Sequence, residues 1–239
     1  MKILILVLAL SFQTFATEVK VYTEDKPAAN YLKDGKLTGI SVEIVQEIMK
    51  RIKSTTAIEV LPWARAYDTL QKDANVALFS TSRTEQRENL FKWVGPVVSK
   101  DWVLMAKRDS KIKINSIEDA KKVRLIGTYR EDSKEQYLKS LNFTNLESVS
   151  EDNLNPKKLL SNRIDLWITA KSDYKLAIDN EKLNPKDFRI AFTVKKQDLF
   201  IAFSKQTDDA TVKVWQKAYD SMVKDGSLAK IRAQHPEID

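Results

Sequence analysis

The chain of 239 residues contains no cysteine. Disulfides, thiol nucleophiles and thiolate metal sites are thereby excluded, and so is a lipid anchor on an N-terminal cysteine. Histidine is nearly absent too. His235 stands alone in a Gln-His-Pro run beside the C-terminus, which leaves no His/Cys metal cluster and implies no cofactor. Glycine numbers five and proline six, so no Walker loop or dinucleotide glycine fingerprint occurs, and no flexible linker marks a domain boundary. Apolar runs are short, with one exception: Ile3 to Leu10, after Lys2 and before Ser11 to Ala16. Crossing a bilayer takes about 20 apolar residues, so this run does not span one. A charged start, an apolar core and a small residue at the cut form the pattern of an export signal. It predicts that residues 1–16 are removed after Ala16, giving a soluble periplasmic product that is not a lipoprotein. A buried first strand is the other reading of the same run.

Lysine and arginine total 40 against 33 acidic residues, a net charge of +7. The basic residues are scattered, as at Lys50, Arg51 and Lys53, at Lys107 and Arg108, and at Lys195 and Lys196, with acids between them. Such spacing describes solvated faces. A nucleic-acid surface wants a concentrated basic stripe, so no nucleic-acid partner is expected. A diffuse positive field can attract anionic ligands.

Apolar β-branched runs alternate with segments of helical period. Val19 to Tyr22, Ile58 to Leu61 and Val76 to Phe79 read as strands. Val42, Ile44, Val45, Ile48, Met49 and Ile52 lie on one face of a helix over Ser41 to Ile52, and Trp63 to Gln71 reads as a second helix. Val97 to Ala106 reads as an extended crossover. Further on, Ser116 to Lys121, Ser133 to Ser140, Pro156 to Ser161, Val212 to Lys224 and Ser227 to Ala233 are helical. Val123 to Ile126, Leu146 to Val149 and Ile164 to Ile168 read as strands, and Phe188 to Thr193 and Leu199 to Phe203 as extended. The alternation predicts an α/β fold on a mainly parallel sheet. Ligands in such sheets sit at the carboxyl ends of strands, which nominates Tyr22 to Asp25, Pro62 to Arg65, Ser80 to Ser82, Gly127 to Arg130 and Trp167 to Ala170.

The most informative stretch is Ala77 to Pro96. An apolar run ends in Ser80, Thr81 and Ser82; Thr84 then reads as a helix start carrying Arg87. Hydroxyls, the N–H groups of a helix start and the planar fork of an arginine together make a receptacle for a carboxylate. A strand end, an N-cap at Thr84 and a surface arginine are the plainer reading. Arg83, nearer the hydroxyls, competes for the role.

Ser80, Ser82, Thr84, Arg87, Phe91 and Pro96 resemble the pattern of the periplasmic solute-binding proteins of the amino-acid type, family 3. Thr81 and Arg83 depart from it, standing where that pattern prefers apolar side chains. Val19 to Pro27, Asp34 to Ile44, Arg163 to Ile168, Leu199 to Lys205 and Val223 to Ile231 are similar to further family segments in the family's order. The resemblance implies a type II periplasmic-binding-protein fold with two lobes, two extended hinge crossovers and a ligand cleft between the lobes. Lobe 1 would be residues 17–99 and 199–239, lobe 2 residues 104–193, and the crossovers 100–103 and 194–198. It also implies that Arg87 grips a ligand carboxylate with help from Ser80 and Ser82. Trp63 would form an aromatic wall, and Tyr22, Glu24, Arg65, Trp167 and Thr169 would face the cleft. Thr128, Arg130, Asp132 and Ser133 would belong to the second-lobe loop. Trp63, Tyr22 and Trp167 read equally as core aromatics, Arg65 as an exposed helix arginine and Ser133 as a helix cap.

One departure bears on the ligand. Family members that bind α-amino acids carry an aspartate just beyond the second-lobe strand, where it pairs with the ligand ammonium. The corresponding position is Ala170, and Asp173 comes three residues late. Either Glu24 or Asp132 takes over, or the ligand lacks an ammonium. The resemblance thus implies a monomeric, non-enzymatic protein that captures a small carboxylate-bearing ligand by lobe closure for an ABC transporter or a membrane sensor. A dehydratase of prephenate or arogenate on the same fold, with Glu24 or Asp132 as general acid, is the rival reading.

Overall fold

The computed structural model describes residues 18–26 and 29–236; the expected signal segment 1–16 lies outside them. The first half opens with β1 (Lys20–Thr23), followed by a small hairpin of β2 (Tyr31–Lys33) and β3 (Lys36–Thr38). Helix α1 (Ile40–Arg51), β4 (Ile58–Val60), α2 (Trp63–Lys72) and β5 (Val76–Ser82) come next. A long strand, β6 (Phe91–Lys107), carries the chain into the second half. There β7 (Ile126–Tyr129), α3 (Ser133–Ser140), β8 (Leu146–Val149), α4 (Leu154–Leu160), β9 (Leu166–Ala170) and α5 (Asp173–Asn180) alternate. A second long strand, β10 (Phe188–Ser204), returns to the first half, which closes with α6 (Asp209–Lys224) and α7 (Ser227–Ala233).

One eight-stranded sheet has the order β4-β1-β5-β10-β6-β9-β7-β8. It is mixed rather than mainly parallel. β1 runs parallel to β4 and β5, and β7 parallel to β8 and β9, as βα alternation demands. β6 and β10 are antiparallel to each other from Phe91↔Ser204 to Lys107↔Phe188. Residues 100–103 and 194–198, expected as separate crossovers, are the middles of these strands. Polar Ser99, Lys100 and Asp101 interrupt the apolar pattern there without interrupting the ladder.

Each half has apolar layers on both sheet faces. In the first, α1 and α6 cover one side through Ile44, Ile48, Trp215 and Met222, while α2 covers the other through Ala66, Tyr67 and Leu70. In the second, Leu138 of α3 and Ile178 of α5 lie in the two separate layers. Entry to α1 depends on Gly39, whose φ of +114° favours glycine; a Cβ there would sit 2.5 Å from the Ala29 carbonyl oxygen.

Candidate functional site

The two halves meet over a small cavity at the carboxyl ends of β1, β5 and β9, enclosing about 20 Å³. Arg87 reaches it from the loop between β5 and β6. That loop is not the expected helix start. Residues 85–90 form consecutive turns, with Arg87 N–H bonded to the Thr84 carbonyl and Leu90 N–H to the Arg87 carbonyl, each at 3.0 Å. Only eight residues, 83–90, separate β5 from β6, and they are spent on these turns.

The Arg87 side chain is 1% exposed. Its guanidinium lies 4.6 Å from the Tyr67 ring centroid and 5.2 Å from that of Trp63. Nε donates to Gln136 Oε1 and Nη2 to the Glu131 carbonyl, both at 3.0 Å. Nη1 is buried with no hydrogen-bond partner. Burial pushes the group's pKa down, opposed by Tyr67 and Asp132, but an arginine keeps its charge in proteins. The buried cation thus keeps one donor unspent. Arg83 points elsewhere. It pairs with Glu88 at 2.6 Å and sits over the Trp93 and Phe200 rings.

Ser80 has φ +59° inside β5, where the pairing with β10 shifts between Phe200 and Ala202. The left-handed kink is strained for a serine; its hydroxyl, buried at the cavity, has no partner. Ser82 Oγ accepts a 2.9 Å bond from Ser133 Oγ. Trp63, stacked on Tyr67 with centroids 5.3 Å apart, donates its indole N–H to the Glu131 carbonyl at 3.0 Å. Arg87, Trp63 and Ser82 thus all reach across to the start of α3.

Ionic groups fill the rest. Lys26 Nζ lies 3.4 Å from both Glu24 and Asp132. Asp132 caps α3 by accepting Lys134 N–H at 2.9 Å, and pairs with Lys134 Nζ at 2.6 Å. Burial alone would raise the Asp132 pKa, but Lys134 and Lys26 reverse this and hold it far below the usual carboxylate range. Glu24 is pushed up, because burial outweighs the pull of Lys26. Lys100, from the middle of β6, pairs with Asp173 at 2.5 Å, both side chains being buried. Burial draws Lys100 down while Asp173 opposes.

Of the residues nominated from sequence, the cavity brings together Arg87, Ser80, Ser82, Trp63, Glu24, Asp132 and Ser133. Arg65 is exposed, since two positions along α2 from Trp63 is about 200° around the helix. Arg130 is exposed as well. Tyr22 lies in the layer under α2. Thr128 donates to Glu135 at 3.2 Å, and Trp167 to Asp152 at 2.9 Å inside the second half's core. Thr169 is buried beside the wall with an unpartnered hydroxyl. Its neighbour Ala170 is the residue of β9 that faces the cavity, because successive side chains of a strand point to opposite faces. Lys26, Lys100, Lys134 and Asp173 went unnominated. Lys26 and Lys134 adjoin nominated positions, whereas nothing around Lys100 signals a cleft. Asp173, placed too late by spacing, reaches the cavity as the first residue of α5. Among the described residues, no cluster of His, Cys, Asp and Glu could hold a metal ion.

The family model for bacterial extracellular solute-binding proteins, family 3, matches residues 19–236. The chain belongs to that family. Among solved structures, the family 3 chain is similar to a histidine kinase sensor domain with similarity to periplasmic binding proteins, at TM-score 0.82 and 19% identity over 92% of this chain and 96% of that one. It is also similar to a mutant of ArgBP from T. maritima (TM-score 0.77, 14% identity, coverage 91% and 94%). A third similar structure is the substrate-binding protein of an amino acid ABC transporter (TM-score 0.75, 16% identity, coverage 92% and 99%). Comparison with curated proteins yields no match. These likenesses show the type II periplasmic-binding-protein fold, a mixed α/β fold with its cleft between two lobes. Among the described residues, no helix is long and apolar enough to cross a membrane.

Proposed function

We propose that this family 3 protein captures a small carboxylate-bearing ligand, an amino acid or a related organic acid, between its lobes. The observation that carries the reading is the idle Nη1 of buried Arg87, beside the unpartnered Ser80 hydroxyl. A carboxylate would complete a charge-assisted pair there. The cavity of about 20 Å³ holds no more than one water, so the lobes must part to admit a ligand, flexing at 100–103 and 194–198. The bonds of Trp63 and Arg87 to Glu131, and of Ser133 to Ser82, tie the two halves together across the cavity. A ligand then favours closure only by its differential affinity for that state.

Export by residues 1–16, work in the periplasm and delivery to an ABC transporter complete the reading, supported by the transporter-linked neighbour. The sensor-domain neighbour supports handing the signal to a membrane receptor instead. The dehydratase reading requires a protonated carboxyl; Asp132 is held ionised, so that role would fall to Glu24 alone.

A thermal-shift screen of amino acids, hydroxy acids and oxo acids, with mass spectrometry of copurifying molecules, tests the proposal. A ligand at a hundredfold excess over its Kd adds about 2.7 kcal/mol. A screen in which no carboxylate raises the melting temperature would refute capture. Aromatic product from prephenate or arogenate would establish the dehydratase.

A further inference from the structure

We propose that the cleft takes a carboxylate without an α-ammonium, a 2-hydroxy or 2-oxo acid in preference to the matching amino acid. This deepens, and rests on, the reading of the cleft as a carboxylate receptor. Every acid that lines the cavity is already paired with an ammonium of the chain. Asp173 has Lys100 at 2.5 Å, Asp132 has Lys134 at 2.6 Å and Lys26 at 3.4 Å, and Glu24 shares Lys26 at 3.4 Å. Asp152, set behind the cavity, accepts bonds from Trp167 and Asn155.

The lining cations are Lys26, Arg87, Lys100 and Lys134; the lining acids are Glu24, Asp132 and Asp173. Asp152 lies within electrostatic reach of Lys26 and Lys134 and makes a fourth acid, so four cations and four acids balance and no carboxylate is left over for a ligand ammonium. An ammonium would have to displace a buried lysine or lie in low dielectric without a counterion, which is costly. Two residues that line the cavity carry buried atoms without partners: Arg87 at Nη1, which only donates, and Ser80 at Oγ, which donates or accepts. They suit the oxygens of a hydroxy or oxo acid. At the end of β9 the wall is Ala170, which offers an ammonium no side-chain acceptor.

The test is calorimetric titration of the full chain with trios that share a side chain: L-alanine, L-lactate and pyruvate; L-phenylalanine, phenyllactate and phenylpyruvate; L-glutamate, 2-hydroxyglutarate and 2-oxoglutarate. In the trio that binds, the hydroxy or oxo acid should be tighter than the amino acid by about tenfold or more, the worth of one charge-assisted bond. Lys100→Met frees the Asp173 carboxylate and should raise amino-acid affinity by about tenfold. Equal or tighter binding of the amino acid by the parent chain overturns the inference while leaving the carboxylate receptor standing. No gain in Lys100→Met also overturns it. Binding of no carboxylate at all defeats both readings together. Should Lys100→Met fail to fold, the parent trios decide.

Discussion

Replacing Arg87 by methionine tests the core of the cleft. Methionine keeps an apolar stem against Trp63 and Tyr67 and removes both the charge and the donors. The closed form loses two interlobe bonds, each 3.0 Å long, at about 1 kcal/mol apiece. It also loses the guanidinium's contact with two rings at 4.6 and 5.2 Å, worth about 0.5–2 kcal/mol. Relief of a desolvated cation offsets part of this. The net is a loss of about 1–2 kcal/mol from the closed state, or about fivefold to thirtyfold toward opening. Carboxylate affinity should fall further, because each charge-assisted bond contributes about 1.5–3 kcal/mol. That corresponds to about tenfold to 150-fold in Kd. Titration calorimetry with the tightest ligand of the screen reads the second effect, and urea unfolding the first. Arg87→Lys should lie between parent and methionine, since lysine restores charge without the fork. A methionine variant that binds within about twofold of the parent would refute the role given to Arg87.

Acid stability follows from Asp132. Its folded pKa is depressed, so its stabilisation is present above the unfolded value near pH 4 and is lost as pH falls. Asp132→Asn should flatten the acid limb of a urea-midpoint profile between about pH 5 and 2, and an unchanged limb would count against the Lys26–Asp132–Lys134 network. Glu24 works with the opposite sign: its folded pKa is raised, so Glu24→Gln should stabilise the protein most at neutral pH, read in the same titration. Trp63→Phe removes the indole bond to Glu131 and should destabilise closure by about 0.5–1.5 kcal/mol, seen as a larger radius of gyration in X-ray scattering of the ligand-free protein. Gly39→Ala meets the Ala29 carbonyl at 2.5 Å with φ at +114°, and should cost about 2–3 kcal/mol in chemical unfolding; a loss under about 0.5 kcal/mol would contradict the required backbone geometry.

The α/β class was legible because apolar β-branched runs alternate with helical periods; most such runs became strands or parts of them, while Val123 to Ile126 was read too early, since β7 begins only at Ile126. Strand direction was not, since periodicity is blind to it; hence a mixed sheet where a mainly parallel one was expected. Arg87 and the serines stood out because hydroxyls end an apolar run just before an arginine. Lys100 was hidden. It lies in a polar Ser-Lys-Asp triplet that looks like a surface crossover, whereas in the fold it pairs with Gln197 of β10 and its ammonium meets Asp173. Arg65 misled through proximity in sequence, which helix geometry turns into opposite faces. Asp173 was visible, but spacing along a strand could not show that the start of α5 folds back over the cleft.

The two long strands do more than connect the lobes. β6 and β10 are 17 residues each and run antiparallel from Phe91↔Ser204 to Lys107↔Phe188, with three register shifts on the way, so sliding one half past the other would shear a shared ladder of backbone bonds. Bending across that ribbon leaves the ladder intact. Under the proposed capture, opening would follow that bend like a book on its spine, and closing would bring Arg87 back opposite Glu131.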